Sequence, residues 1–166
     1  MLFVLTGPES TAKSDLSLAL SQHYAAPLVL EVARDYLRGR ESYQPSDLLE
    51  IAQVQRREEA AAGPGLVFAD TDLQVIHIWW QERFGPVPPS IRDAYQAQGA
   101  RHYLLCKPDV PWAADPLREN PHDRERLYGV YEADLSRRGL AYSVVGGLGN
   151  ARLKNALDAV SSILSD

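Results

Sequence analysis

The sequence has little cysteine, no long apolar run and fewer basic than acidic side chains. Its single cysteine, Cys106, has no second cysteine to pair with, which excludes a disulfide-rich secreted scaffold. No stretch of about 18 apolar residues occurs, and the first ten residues, MLFVLTGPES, lack the basic start and the apolar length of a signal peptide. We therefore expect a cytoplasmic protein that does not associate with a membrane.

The shortage of positive charge argues against a nucleic-acid partner. The 166 residues include 17 Lys and Arg against 22 Asp and Glu, a formal net charge of −5. Proteins that coat DNA or RNA depend on clustered Lys and Arg, so we expect no nucleic-acid partner. The four histidines show no metal-ligand spacing with one another or with Cys106, which argues against a structural zinc site. No linker or repeat divides the chain, so residues 1–166 are predicted to form a single domain.

Apolar runs and stretches of helical spacing alternate along the chain. Five runs without polar alternation indicate buried strands at 2–5, 28–32, 66–69, 103–106 and 142–145. Helical spacing covers 13–24, 46–62, 72–84, 90–98, 123–138 and 150–164, with Ser46 and Asn150 as N-caps and Gly139 just beyond one C-terminus. Strands that are apolar throughout suit a parallel sheet that is covered on both faces. The pattern predicts an α/β fold with a five-stranded parallel sheet and helices on both faces.

The loop after the first strand has the sequence of a Walker A phosphate loop. It reads Gly7-Pro8-Glu9-Ser10-Thr11-Ala12-Lys13-Ser14 and leads directly into an amphipathic helix. Backbone N–H groups of such a loop surround a phosphate at a helix N-terminus, with Lys13 on the terminal phosphates and Ser14 on Mg²⁺. Ala12 replaces the second glycine: a helix-like φ tolerates its methyl group, whereas a positive φ costs about 1 kcal/mol or more. We predict a P-loop NTPase fold that binds ATP and Mg²⁺ here.

Polar residues accompany the ends of the second and third strands. In an open parallel sheet, ligands bind beyond the carboxyl ends of the strands. Asp70 is predicted to hold Mg²⁺, with capping of the next helix as its alternative role, and Asp72 is a candidate contact to a phosphate acceptor. Glu31 is a candidate to orient or deprotonate a substrate hydroxyl, and Arg34 to hold a phosphate or that carboxylate. The alternative is a surface ion pair, of Glu31 with Arg34 or of Asp35 with Arg38.

The proline-rich segment after the fourth strand is predicted to be a lid over residues 108–126. Arg118, Arg124 and Arg126 lie there among carboxylates and are candidates to clamp the transferred phosphate. A solvated surface of mixed charge is the alternative. Trp112 stands at the start of this segment, where its indole either stacks on a planar ring of the ligand or anchors the loop.

Two adjacent tryptophans stand on the predicted helix that follows the third strand. Trp79 and Trp80 share this helix with Leu73, Val75 and Ile76. Such apolar spacing favours core packing or a contact in a homodimer over stacking on a ligand.

Four motifs in this order resemble the ribosylnicotinamide kinase domain of the NadR type. They are GPESTAKS, EVARDYL, FADTD and YLLCKPDVPWAADPLRENPHDRE, and the resemblance covers nearly the whole chain. It implies a nucleoside-kinase-like P-loop fold, ATP and Mg²⁺, and transfer of the γ-phosphate to the 5′-hydroxyl of nicotinamide riboside. By position it implies a nucleotide site at Lys13 and Ser14, a metal or hydroxyl contact at Asp70, acceptor contacts at Glu31, Arg34, Asp72 and Trp112, and lid residues Arg118, Arg124 and Arg126. The sequence departs from the family pattern at two places. Ala12 stands where the phosphate loop usually has glycine, and Asp115-Pro116 stands where the family usually has Asp-Gly, so that the proline stiffens the lid.

Three functions remain open from the sequence. The first is an ATP-dependent kinase for nicotinamide riboside, in which Asp70 or Glu31 accepts the hydroxyl proton. The second is a P-loop kinase for another nucleoside. The third is an ATPase switch that acts through a protein partner, and the lack of an Asn-Lys-x-Asp element disfavours its GTP-dependent form.

Overall fold

The apolar runs of the sequence form one parallel sheet. The computed structural model describes residues 1–40, 42–113 and 122–165. Within these ranges the strands are β1 (Leu2–Thr6), β2 (Leu28–Val29), β3 (Val67–Asp70), β4 (His102–Cys106) and β5 (Tyr142–Val145). Their order in the sheet is β2-β3-β1-β4-β5, and every pairing is parallel. The predicted α/β fold with a five-stranded parallel sheet is confirmed.

Helices connect the strands and cover both faces of the sheet. They are α1 (Lys13–Tyr24), α2 (Val32–Tyr36), α3 (Pro45–Ala61), α4 (Leu73–Phe84), α5 (Pro89–Gln96), α6 (Arg124–Arg137) and α7 (Gly149–Leu164). Phe3 and Leu5 of β1 belong to a core cluster with residues of α1 and α7. Val4, between them, belongs to a second cluster with residues of α4 and α6. Since β1 is buried on both sides, its sequence is apolar without alternation.

The end of β2 and two helix starts differ from the sequence-based expectation. The run 28–32 contains only two strand residues, because the chain turns into the short helix α2 at Val32. Ser46 is not an N-cap: α3 begins one residue earlier, at Pro45, and the Asp47 carboxylate accepts the Gln44 backbone N–H at 2.7 Å. Asn150 is likewise inside α7, which Leu148 precedes.

Both described ends of the predicted lid approach the phosphate loop. One runs from the end of β4 to Ala113, whose backbone N–H donates to Ser10 Oγ at 2.9 Å. The other runs from His122 into α6. Residues 114–121 lie outside the described residues. Among the described helices, none combines the length and the apolar character that crossing a membrane requires.

Candidate active site

Gly7 begins the phosphate loop at the end of β1. Its φ is 125°, and an added Cβ would lie 2.7 Å from the backbone oxygen of Cys106 in β4. Any side chain would therefore collide with a neighbouring strand and require a backbone conformation that L-residues rarely adopt. This close approach fixes the start of the loop against the carboxyl end of β4.

Ser10 and Ala12 give the loop its concave shape. Both have positive φ, 54° and 58°, on either side of Thr11. Left-handed residues in such a loop turn successive backbone N–H groups toward a common point, where an anion binds. The helix-like alternative for Ala12 is thus excluded, and its methyl group costs about 1 kcal/mol. Helix α1 follows at once, since Leu16 N–H donates to the Ala12 carbonyl at 3.1 Å.

Lys13 lies against the loop that precedes it. Its Nζ donates to the carbonyl of Gly7 at 3.0 Å and to that of Pro8 at 2.7 Å. The Thr11 hydroxyl also donates to the Pro8 carbonyl, at 2.9 Å. The ammonium is therefore held within a cavity that Lys13 and Ser14 both line.

Asp70 and Ser14 meet where β3 ends beside α1. Asp70 is 3% exposed, the Ser14 hydroxyl hydrogen-bonds its carboxylate, and its Oδ1 has no hydrogen-bond partner among the described residues. Burial raises the pKa of Asp70, while the Ser14 bond and the Lys13 charge lower it. Mg²⁺ takes one or two protein oxygens and fills its other positions with water and phosphate. An unpaired buried carboxylate oxygen beside a hydroxyl at a phosphate loop fits this ion.

A cavity of about 270 Å³ opens beside the phosphate loop. One wall consists of the loop and the first turn of α1. The opposite wall comes from α2, α4 and α6 and from the residue before α2, and is lined by Glu31, Arg34, Val75, Trp79 and Tyr131. These elements approach one another at the carboxyl edge of β1 and its neighbours, which is where open α/β sheets bind ligands. A phosphate donor and an acceptor can therefore meet in one space.

Glu31 directs a buried carboxylate into this cavity from the residue before α2. Its side chain is 14% exposed, and Arg34 Nε lies 3.3 Å from its Oε2. Burial raises the pKa of Glu31, the charge of Asp70 raises it further, and Lys13 and Arg34 lower it. The ion pair considered as an alternative is present, but it lines the cavity. A carboxylate in this environment is a stronger base than an exposed glutamate.

The aromatic wall of the cavity consists of residues that the sequence did not assign to it. Trp79 lines the cavity with Val75 one helical turn before it, and Tyr131 faces it from α6. Trp79 also stacks on Tyr43, with ring centroids 6.1 Å apart. The sequence predicted core packing or a dimer contact for both tryptophans. Trp80 is indeed buried, but Trp79 also lines the cavity. Val75 and Trp79 are four residues apart and therefore lie on the same face of α4, whereas Trp80 does not. This spacing is the sequence signal that could have assigned Trp79, and not Trp80, to the cavity.

Asp72 is a structural residue, and its placement in the acceptor site was wrong. It is fully buried, and its Oδ1 accepts the Gln74 backbone N–H at 2.9 Å as the N-cap of α4. Its Oδ2 accepts from Arg101 at 3.0 Å and from the Tyr103 hydroxyl at 2.8 Å. Both oxygens are used inside the protein, so no acceptor can reach them.

Arg124 connects α6 to the phosphate loop. Its Nη1 donates to the carbonyls of Ser10 at 2.9 Å and Val110 at 3.0 Å. Its guanidinium carbon lies 5.7 Å from the centroid of the Trp112 ring, which is half-buried. Trp112 therefore lies beside this arginine at the loop, and it is not among the described residues that line the cavity.

The other two predicted lid arginines are placed differently. Arg126 pairs with Glu82 of α4 at 2.5 Å and with Asp123 at 2.7 Å on an exposed surface. Arg118 lies outside the described residues, as do Asp115 and Pro116. Of the two arginines that the structure describes, Arg124 is the one that contacts the phosphate loop.

Comparison with solved structures shows a fold shared with P-loop kinases. A crystal structure of NadR protein in complex with NR matches 97% of this chain and 50% of its own, with 20% identity and a TM-score of 0.78. A second NadR structure, in complex with NAD and AMP-PNP, matches 97% of this chain and 48% of its own, with 21% identity and a TM-score of 0.75. This chain thus spans about half the length of the NadR chains.

A shorter kinase matches almost end to end. Shikimate kinase from Acinetobacter baumannii, in complex with shikimate, matches 99% of this chain and 93% of its own, with 15% identity and a TM-score of 0.58. No curated protein sequence matches this chain. The family model described as an AAA domain, AAA_28, matches residues 2–152. The chain belongs to this AAA-domain family and has a NadR-like P-loop kinase fold.

Proposed function

We propose that this chain is an ATP-dependent kinase that phosphorylates the 5′-hydroxyl of nicotinamide riboside, giving nicotinamide mononucleotide. The observation that carries the proposal is the two-walled cavity, with the phosphate loop on one side and Glu31, Trp79 and Tyr131 on the other. An ATPase switch needs the first wall only, whereas a kinase needs both. The bound NR and AMP-PNP of the NadR structures support the same assignment.

The chemistry of the opposite wall favours a positively charged planar acceptor. The carboxylate of Glu31 and the indole of Trp79 line the same cavity. Arg34 already pairs with the Glu31 carboxylate, so the groups that attract a cation are this partly compensated carboxylate and the face of the indole, which also stacks on a flat ring. The pyridinium ring of nicotinamide riboside has the charge and the shape that these groups bind, whereas the common nucleosides are neutral.

Catalysis in this proposal consists of positioning and charge stabilisation. Lys13 exchanges its bonds to the Gly7 and Pro8 carbonyls for phosphate oxygens, and Arg124 supplies positive charge at the same loop. Glu31 accepts the hydrogen bond of the acceptor hydroxyl and takes its proton as transfer proceeds. When bound by Ser14 and Asp70, Mg²⁺ would neutralise charge on the phosphates of ATP.

From the sequence alone we further predict a cytoplasmic location, no nucleic-acid partner, a homodimer contact and a single domain over residues 1–166. The phosphate acceptor is a small molecule in all forms of the kinase proposal.

Acceptor selectivity tests the proposal with a matched pair of substrates. Reduced nicotinamide riboside has nearly the same shape as the oxidised form but lacks the ring charge. With ATP and Mg²⁺, we expect kcat/KM for the oxidised form to exceed that for the reduced form by about tenfold. Replacing Trp79 with leucine should lower this ratio several-fold, and Trp79→Phe should largely retain it.

The alternatives give different results in the same assay. Equal turnover of the two forms would overturn selection by charge. Preference for a neutral purine or pyrimidine nucleoside would show that the chain is a kinase for that nucleoside and not for nicotinamide riboside. Hydrolysis of ATP without any phosphorylated acceptor would support the switch.

A further inference from the structure

We propose that Arg152 is a positioning residue of the phosphate loop, which holds the Thr11–Ala12 peptide so that its N–H faces the phosphates of ATP. The inference rests on the proposed nucleotide-binding function. It assigns a role to a residue of α7 that lies far from the loop in sequence. It also gives a role to Asp109, within the segment that follows β4.

Arg152 joins three loops beneath the site. It is 3% exposed, and its Nη2 donates to the carbonyls of Thr11 at 2.8 Å and Lys107 at 3.0 Å. Its Nη1 donates to Asp109 Oδ1 at 2.5 Å and to the Gly147 carbonyl at 3.1 Å. The partners follow β1, β4 and β5, so one side chain holds the carboxyl ends of three strands.

This arrangement requires a guanidinium group. A buried charge is costly unless it is paired and hydrogen-bonded, and an apolar residue of similar size would fill the space without that cost. Asp109 compensates the charge, and its other oxygen accepts the Gly147 backbone N–H at 2.6 Å. The planar fork of arginine reaches four acceptors at fixed angles, which a lysine ammonium cannot do.

The geometry of the peptide bond connects this contact to the phosphate site. The chain has no cis peptide bond among its described residues, so the Thr11 carbonyl and the Ala12 N–H point in opposite directions. Arg152 holds that carbonyl, and the N–H therefore points away from Arg152. Ala12 lines the cavity beside the phosphate loop, together with Lys13 and Ser14.

Ala12 makes this restraint necessary. Rotation of the Thr11–Ala12 peptide would move Ala12 from its φ of 58° toward the negative φ that alanine prefers, and would turn the N–H out of the loop. A glycine has no such preference. Arg152 opposes the rotation by binding the carbonyl in the orientation that the loop requires.

Calorimetric titration with ATP and with adenosine tests the role. We expect Arg152→Lys to weaken ATP binding about tenfold and adenosine binding less than about twofold, because only ATP contacts the loop. Adding Ala12→Gly to Arg152→Lys should restore most of the ATP affinity, since glycine removes the drive to rotate. Asp109→Asn, which leaves Arg152 in place without its charged partner, should weaken ATP binding in the same selective way.

Arg101→Lys is the matched control. Arg101 is a similarly buried arginine that binds Glu59 and Asp72 away from the phosphate loop. Its variant should lower the melting temperature without changing the ratio of the two dissociation constants. If Arg152→Lys behaves like this control, or if Ala12→Gly restores nothing, the inference is overturned. If the unmodified protein binds ATP no better than adenosine, the proposed nucleotide-binding function fails as well.

Discussion

Ala12 is strained by its position in the loop, and this strain can be measured. Its φ of 58° costs about 1 kcal/mol for alanine and nothing for glycine. We expect Ala12→Gly to raise the free energy of unfolding by about 0.5 kcal/mol, after the greater flexibility of glycine in the unfolded chain is subtracted. Urea unfolding measures the change.

Ala25 provides a control for this prediction. It has a φ of 48° at the end of α1, remote from the cavity, so Ala25→Gly should stabilise the protein by a similar amount. Both variants should leave ATP affinity within about twofold, because neither removes a contact to phosphate. Destabilisation by Ala12→Gly alone would contradict the strained geometry of the loop.

Arg124 and Arg126 provide a second comparison at the residue scale. Arg124 contacts the Ser10 carbonyl, whereas Arg126 pairs with Glu82. Removing an arginine that neutralises a transferred phosphate costs on the order of 100-fold or more in kcat. We therefore expect Arg124→Ala to reduce kcat at least tenfold more than Arg126→Ala does. Steady-state kinetics with saturating ATP measure kcat for both variants. A larger loss of kcat in Arg126→Ala than in Arg124→Ala would show that Arg124 does not stabilise the transferred phosphate.

At the scale of elements, the sequence predicts most of the architecture. The central strands β1, β3 and β4 are buried on both faces, which leaves continuous apolar runs. The edge strands β2 and β5 are only partly buried, but their apolar runs were located too, and β5 was located at its observed bounds. Helix α2 has only five residues, Val32–Tyr36, and such a length cannot show a helical period. Ser and Asn are preferred N-cap residues, but the N-cap position is fixed by where the backbone turns into the helix. Ser46 and Asn150 therefore have suitable side chains and yet lie inside α3 and α7.

A buried charge cluster joins α3, the start of α4 and the start of β4. Arg101 pairs with Glu59 at 3.1 Å and with Asp72 at 3.0 Å. Burial raises the pKa of Glu59 to about 7, the charge of Asp72 raises it as well, and Arg101 lowers it. Between about pH 4.5 and pH 7 the folded protein therefore keeps a proton that the unfolded chain has released, so stability falls as pH rises.

Glu59→Gln removes this pH dependence. The wild type should lose about 2 kcal/mol more of its free energy of unfolding than the variant does when the pH is raised from 5 to 8. Urea unfolding at both pH values gives the difference. The neighbouring and exposed Glu58 provides a control, because Glu58→Gln should leave the slope unchanged. An unaltered slope in Glu59→Gln would show that this carboxyl titrates in its ordinary range.

At the scale of the whole molecule, a net charge of −5 is compatible with a triphosphate site because the positive groups are local. Backbone N–H groups, Lys13 and Arg124 converge on the loop, and motif order was enough to predict this wall. The opposite wall of the cavity was only half predictable: Glu31 and Arg34 follow a strand, but Trp79 and Tyr131 come from helices whose orientation depends on packing. A strand-end position alone could not distinguish Asp70, whose Oδ1 has no partner among the described residues, from Asp72, which caps α4.

Formation of phosphorylated nicotinamide riboside by the purified protein tests the central claim most directly. With Mg²⁺ and ATP labelled with ¹⁸O in the γ-phosphate, we expect mass spectrometry to detect labelled nicotinamide mononucleotide. Lys13→Ala should lower its rate of formation by about 100-fold or more. Absence of labelled product at saturating substrate, or equal rates from the wild type and Lys13→Ala, would contradict the account.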